Sequence, residues 1–337
     1  MPEQMKIEDI ARLAGVSVST VSRVLNSHPD VSSATRQRVL EVISSHDYIP
    51  NDSARSLKRE SFHGVGIMVK GIDNPFFGKM LRMIREELDR RRYQILLQPV
   101  EVEEDEIDTA LSLVKDKKPE GLIFLGGNFQ NSSAKLAMLD IPYVMATITL
   151  KGKVDRASFS SVAVDDRQET YSLAEHLISA GHSRFAIIAS SSDDRSVSKL
   201  RVDGFVQALE EHHLPPPIME YAGGHSMEGG YEAASRLSAN PEITCLFCIS
   251  DLIAIGAMRA LYDSGRSIPG DISVVSFDGI PAARFSLPSL ATVVQPVREI
   301  AIGAVELLLD RLERKQPNRH CILPAEFVWG ESFQPLV

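Results

Sequence analysis

The chain has 337 residues, 44% of them hydrophobic and 24% charged, with a net charge of −9 at neutral pH. That length supports two or three domains with sizeable cores, and that balance excludes a disordered, fibrous or uniformly basic chain. The opening residues, MPEQMKIEDI, lack the apolar run of a secretory signal, and no stretch of about 18 apolar residues offers a membrane span, so a cytoplasmic protein is expected.

Residues 6–48 read as three short helices. In KIEDIARLAG, Ile7, Ile10, Ala11 and Ala14 fall at helical spacing, and Gly15 ends the run. After a tight turn, Ser17 caps VSTVSRVLN, in which Val21 and Val24 share one face. The rest of this helix is crowded with hydroxyls, which are mediocre helix formers because they compete for backbone hydrogen bonds. A helix that must enter a groove and hydrogen-bond there has this composition. Ser32 or Ser33 caps a third helix, with Val39, Val42 and Ile43 facing inward. Three helices with a tight turn between the first two form a helix-turn-helix unit.

In such units the second helix lies in the major groove. Val18 suits a thymine methyl, Arg23 a guanine edge, and Ser19 and Thr20 bases or phosphates. Ser17 and Ser22 suit phosphate bonds that set the register. Residues 1–60 carry eight cations and eight anions, so binding here depends on charge placement and not on bulk charge. Next, IPNDSARSLKRE places Leu57 among Arg55, Lys58 and Arg59. A leucine flanked by cations suits a minor-groove wedge, with the cations on phosphates.

From residue 62 the pattern changes. Short apolar runs (GVGIMV, QILLQPV, GLIFLG, PYVMAT) alternate with amphipathic helices, and a similar series restarts at SSVAVDD. Strand–helix alternation means parallel sheets covered on both faces. Two series predict two Rossmann-like lobes, which the last segments re-enter. Of the three cysteines, Cys245 and Cys248 form C-x-x-C inside an apolar strand-like run, where residues three apart point to opposite faces. No disulfide framework or metal site is expected from them. There is no Walker loop, no H-E-x-x-H and no G-x-S-x-G, so no catalytic constellation, metal or cofactor is expected.

The run IEDIARLAGVSVSTVSRVLN, continuing to NDSARSLKRE, resembles the headpiece and hinge helix of the lactose/galactose repressor (LacI/GalR) family. DNPFF, RVDGFVQALEE, SDLIAIGAMRAL, IPGDISVVSFDGI and LPSLATVVQP follow in that family's order. The resemblance implies an α/β protein: an all-α helix-turn-helix headpiece (1–48), a hinge helix (49–61) and a periplasmic-binding-protein-like core. The core would divide into a first lobe (62–162 with 292–322) and a second lobe (163–291 with 323–337). It implies a homodimer that binds a pseudopalindromic double-stranded DNA operator, most often as a repressor, gated by a small sugar- or nucleoside-like effector between the lobes.

The DNA contacts would come from Ser17, Val18, Ser19, Thr20, Ser22, Arg23, Asn26, Arg55, Leu57 and Lys58. The effector contacts would come from Asp73, Asn74, Phe76, Phe77, Asp165, Arg201, His225, Asp251 and Asp278. Of Phe76 and Phe77, one is expected in the core. Some members of the family also take a phosphorylated carrier protein as co-effector. Two departures stand out: His225 or Met227 where the family often has a large aromatic, and Gly330 where it usually has arginine. A solute-binding protein with the same core is the rival reading, opposed by residues 1–60, and an enzyme with α/β lobes is a distant third.

Overall fold

The computed structural model describes residues 7–25, 30–46, 64–101, 104–128, 133–148, 154–192 and 196–337. The chain divides into two compact units, Met1–Ser61 and Phe62–Val337. The smaller holds helices α1 (Ile7–Ala14), α2 (Val18–Leu25) and α3 (Ser33–Ser45). They close on Ile10, Ala11, Ala14, Val21, Val24 and Val39, with Val42 and Ile43 packed against them half-buried. Gly15 takes a left-handed φ of 64°, which lets the Val16 N–H turn back to Ala11 O at 3.0 Å and stops α1. Ser17 Oγ accepts from Thr20 N at 3.2 Å ahead of α2, and Ser32 caps α3 by accepting from Thr35 N at 3.3 Å. Asn26 and the hinge stretch with Arg55, Leu57 and Lys58 lie outside the described residues.

The larger unit contains two six-stranded sheets. Its strands are β1 (Gly64–Lys70), β2 (Gln94–Val100), β3 (Gly121–Leu125), β4 (Tyr143–Ala146), β5 (Ser160–Ala163), β6 (Phe185–Ala189), β7 (Ile218–Tyr221), β8 (Cys245–Cys248), β9 (Ser273–Asp278), β10 (Ala291–Val294), β11 (His320–Ile322) and β12 (Glu326–Val328). Its helices are α4 (Pro75–Arg90), α5 (Glu106–Lys117), α6 (Ser133–Leu136), α7 (Asp166–Ser179), α8 (Val197–Glu211), α9 (Met227–Leu237), α10 (Asp251–Asp263), α11 (Pro281–Phe285) and α12 (Val297–Leu312). The first sheet runs β11-β5-β4-β3-β1-β2 and the second β12-β10-β9-β8-β6-β7. All pairings are parallel except β10 with β12. Central strands such as β3 and β8 are buried along their whole length, so they read as unbroken apolar runs and not as alternation.

Ser160–Ala163 pairs with β4, so the first lobe runs to Ala163, one residue past the expected boundary at 162, and the second series begins after SSVA and not with it. Residues 292–294, expected in the first lobe, pair with β9 and β12 in the second. Both runs are short and apolar, and only the neighbouring strand decides which sheet takes them. The chain therefore passes between lobes three times: after β5, after β10 and after β11. Helix α12 returns to cover the first sheet, packing on α4 and on β3, β4 and β5.

The second lobe depends on close helix contacts. A Cβ at Gly204 of α8 would overlap the Arg167 carbonyl of α7, and one at Gly256 of α10 would overlap the Met227 carbonyl of α9. Among the described residues, no helix is long and apolar enough to cross a membrane. Gly256→Ala is expected to destabilise the larger unit by about 1–3 kcal/mol or more, because the intruding methyl meets backbone that cannot rotate away. Urea unfolding checks this.

Candidate functional site

Arg201 sits on α8 and is only 4% exposed. Its Nε donates to Asp166 Oδ1 at 2.8 Å, and its Nη1 donates to Ile249 O at 2.7 Å and Asp278 Oδ1 at 3.0 Å. The guanidinium lies 3.8 Å from the centroid of the Phe277 ring. Asp166 is the first residue of α7, Asp278 is the last of β9, and Ile249 follows β8. One cation thus gathers a helix start and the ends of two strands, where α/β sheets place ligands. Asp278 also accepts from the buried amide of Gln295 at 3.0 Å. Burial raises the Asp166 carboxyl to about 6, against the lowering pull of Arg201.

Arg201 and Asp278 are each expected at the effector from the family resemblance, whereas Asp166 and Gln295 are not. In the doublet Asp165–Asp166, Asp165 is the exposed member. It caps α7 by accepting from Gln168 N at 3.2 Å, while Asp166 turns inward to the guanidinium. The sequence signal for Asp166 is the pair of adjacent carboxylates at the helix start, one of which serves as the cap.

Asp251, expected against the effector, is fully buried. Its Oδ1 accepts from Ser276 Oγ at 2.5 Å and Thr292 Oγ1 at 2.6 Å, and its Oδ2 accepts from Ile280 N at 2.7 Å. It ties α10 to β9, β10 and the turn after β9. Burial, followed by repulsion from Asp278, pushes its carboxyl up to about 7. Its neighbour Ser250, which sequence reasoning passes over, is the N-cap residue of α10 yet makes no side-chain capping bond. Its fully buried Oγ has no hydrogen-bond partner among the described residues. A buried hydroxyl left unpaired costs about 1–3 kcal/mol, so such a group calls for a reason.

In the first lobe Asp73 is exposed, and Asn74 caps α4 by accepting from Phe76 N at 3.0 Å. Phe76 and Phe77 are both buried, edge to face at 5.3 Å, so the core claims both and not one. A helix start packed onto a sheet leaves two successive rings no other apolar place. His225 is exposed, with Nε2 3.1 Å from Ser198 Oγ, one turn before Arg201 on α8. The lobes meet at an isolated antiparallel bridge between Asn128 and Ser196. Glu106 supports it from beneath, accepting from Asn128 N at 2.7 Å and pairing with Lys70 at 3.3 Å. Gly330 is required by packing: a Cβ there would overlap Ser289 O and the Leu290 backbone, and Trp329 beside it packs on Phe327 and Phe333.

On α2, Ser17, Val18, Ser19 and Arg23 are exposed, Thr20 and Ser22 are half-buried, and Val21 and Val24 are buried. Ser17 Oγ lies 2.8 Å from Ser19 Oγ and 2.9 Å from Thr20 Oγ1. The hydroxyls form one cluster at the helix start, which is the end that a recognition helix turns toward base edges.

Residues 6–51 match the lacI family of bacterial regulatory proteins, and residues 174–333 match a periplasmic binding protein-like domain. The HTH-type transcriptional regulator MalR of Clostridium butyricum is 36% identical over 332 residues, covering 97% of this chain and 99% of that protein. A crystallised complex of the transcriptional regulator CelR with cellobiose is 26% identical, covers 98% of this chain and all of its own, and superposes with a TM-score of 0.70. A LacI family regulator from Enterococcus faecium with bound ribose is 25% identical, covers 81% of this chain and all of its own, and has a TM-score of 0.69. The chain belongs to the lacI family of bacterial regulatory proteins. It is a ligand-responsive, DNA-binding transcription regulator.

Arg201→Met would leave Asp166 and Asp278 buried without their cation. Breaking a buried ion pair in this way costs about 3–5 kcal/mol, so the variant is expected to unfold at much lower urea than the parent. Unchanged unfolding would mean that the charge cluster contributes nothing to the lobe.

Proposed function

We propose that the chain is an operator-binding repressor that works as a homodimer and is released or retained by a sugar-like effector held between the two lobes. The observation that carries this reading is the Arg201 cluster. Its guanidinium is fixed on three sides, and among the described residues nothing takes Nη2. Ser250, next in sequence to the Ile249 carbonyl that Arg201 bonds, has a buried hydroxyl with no partner among the described residues. A fixed guanidinium edge, a carboxylate and a spare hydroxyl suit the paired hydroxyls of a sugar, which both donate and accept. The sugars named for CelR and for the Enterococcus faecium regulator support the same ligand class.

In this reading Arg201, Asp278 and Ser250 hold the effector from the second lobe, with Asp73, Asp165 and His225 around the opening. Asn74, Phe76 and Phe77 shape the first lobe from its core. Ser17, Val18, Ser19, Thr20, Ser22 and Arg23 read the major groove, Asn26 extends that contact, and Arg55, Leu57 and Lys58 engage the minor groove at the operator centre. Tyr262, Phe285 and Leu287 are largely exposed and supply apolar surface for the second copy. With DNA as its partner, the protein acts in the cytoplasm. Effector and operator would influence each other reciprocally, with a coupling of about 1–3 kcal/mol.

The test is fluorescence-anisotropy titration of the full chain against DNA upstream of its own gene. It is run at two salt concentrations, with a panel of sugars and nucleosides, and with and without a phosphorylated carrier protein. Saturable binding to a pseudopalindrome, shifted by one compound, is the expected result. Binding no tighter than to random DNA under every condition would favour a solute-binding protein. Arg23→Ala is expected to lose about 1–3 kcal/mol of operator affinity and to relax preference at a single base pair.

A further inference from the structure

The turn after β9 is strained. Asp278 has a φ of 120° and Gly279 one of 74°, and a Cβ at Gly279 would sit 2.7 Å from Val294 Cγ1. Such backbone persists only where its surroundings over-determine it. Two supports hold this turn. Gln295 donates from its backbone N–H to Asp278 O at 3.2 Å and from Nε2 to Asp278 Oδ1 at 3.0 Å. On the far side, Asp251 Oδ2 takes the Ile280 N–H at 2.7 Å, while its Oδ1 is held by hydroxyls from β9 and β10.

We propose that Asp251 is a positioning residue: it fixes the Asp278–Ile280 turn and so sets the carboxylate that Arg201 and the effector share, without touching the effector. This rests on the reading of Arg201 and Asp278 as effector contacts. The geometry is that of a clamp. A carboxylate at the first position of α10 reaches across the strand ends and anchors the one amide that follows the strained pair. Every acceptor it offers is used within the second lobe, so its work there is conformational.

The charge is part of the device. The titratable and charged groups around Asp251 are Asp278 on β9, the Cys248 thiol at the end of β8 and, beyond Asp278, Arg201 on α8 with Asp166 on α7. The guanidinium bonds Asp166 and Asp278, and the charged form of Asp251 is disfavoured by burial and by Asp278. Its folded pKa therefore lies above its unfolded value. The native state binds more protons in that window, and stability falls as pH rises from the ordinary carboxylate range to neutrality.

The test uses the full-length protein and needs no effector, so its failure would leave the effector reading standing. Hydrogen exchange is followed by mass spectrometry for peptides spanning residues 276–285 in the parent, Asp251→Ala and Asp251→Asn. The asparagine can turn its oxygen to the Ile280 N–H and its NH2 to the two hydroxyls, and Ser276 has Ala291 O within 3.4 Å as another acceptor. D251A is expected to speed exchange in this segment by about tenfold or more, the loss of one bond to a charged acceptor, with β6 unaffected. D251N is expected to keep the protection. Equal protection in D251A and the parent would overturn the proposal. Should D251A fail to fold, urea midpoints of the parent and D251N between about pH 5 and 8 decide. The parent is expected to lose stability as pH rises and D251N to lose less, and identical profiles would overturn the proposal.

Discussion

A buried guanidinium between two buried carboxylates is the interaction on which the second lobe is organised. Taking Arg201, Asp166 and Asp278 out of water is costly, and the cost is offset only because each is bonded in good geometry. The same cation holds the start of α7 and the ends of β8 and β9. Well-packed apolar residues in place of all three would often serve stability as well. What they would lack is a rigid hydrogen-bonding edge at the mouth of the strands, and that edge is what a binding lobe requires.

Rigidity at this edge is built from behind. Asp251 clamps the turn that carries Asp278, and Gln295 braces the same residue from the start of the segment that returns to the first lobe. Because β10 ends at Val294 and α12 begins at Val297, the brace sits on a crossover between lobes. A second link is made at Asn128 and Ser196, with Glu106 and Lys70 beneath it. Movement of one lobe against the other therefore meets polar groups at both places. Within the second lobe the helices pack so closely that a Cβ at Gly204 or Gly256 would overlap neighbouring backbone.

The helix-turn-helix and the two-lobed α/β core were legible in the residues. Gly15, Ser17 and Ser32 mark helix ends by local conformational preference, and a strand buried on both faces announces itself as an apolar run. Arg201 and Asp278 were each legible as effector candidates through family resemblance, but their ion pair was not. The placement of β10 was not, because a short apolar run carries no label for its sheet. Nor were the roles of Asp166, Asp251 and Ser250.

The sequence alone determined the period of each element, the residues that stop helices, the neutral balance of residues 1–60 and the family. Those properties depend on neighbours a few positions apart. Only the tertiary structure decided which carboxylate of Asp165–Asp166 is buried, that both Phe76 and Phe77 belong to the core, that Asp251 faces inward, and that Gly330 leaves no room for arginine. Burial and hydrogen-bond partnership are set by residues tens to more than a hundred positions away. A side chain's chemistry is written in its type, but the work it does is set by what the fold brings against it.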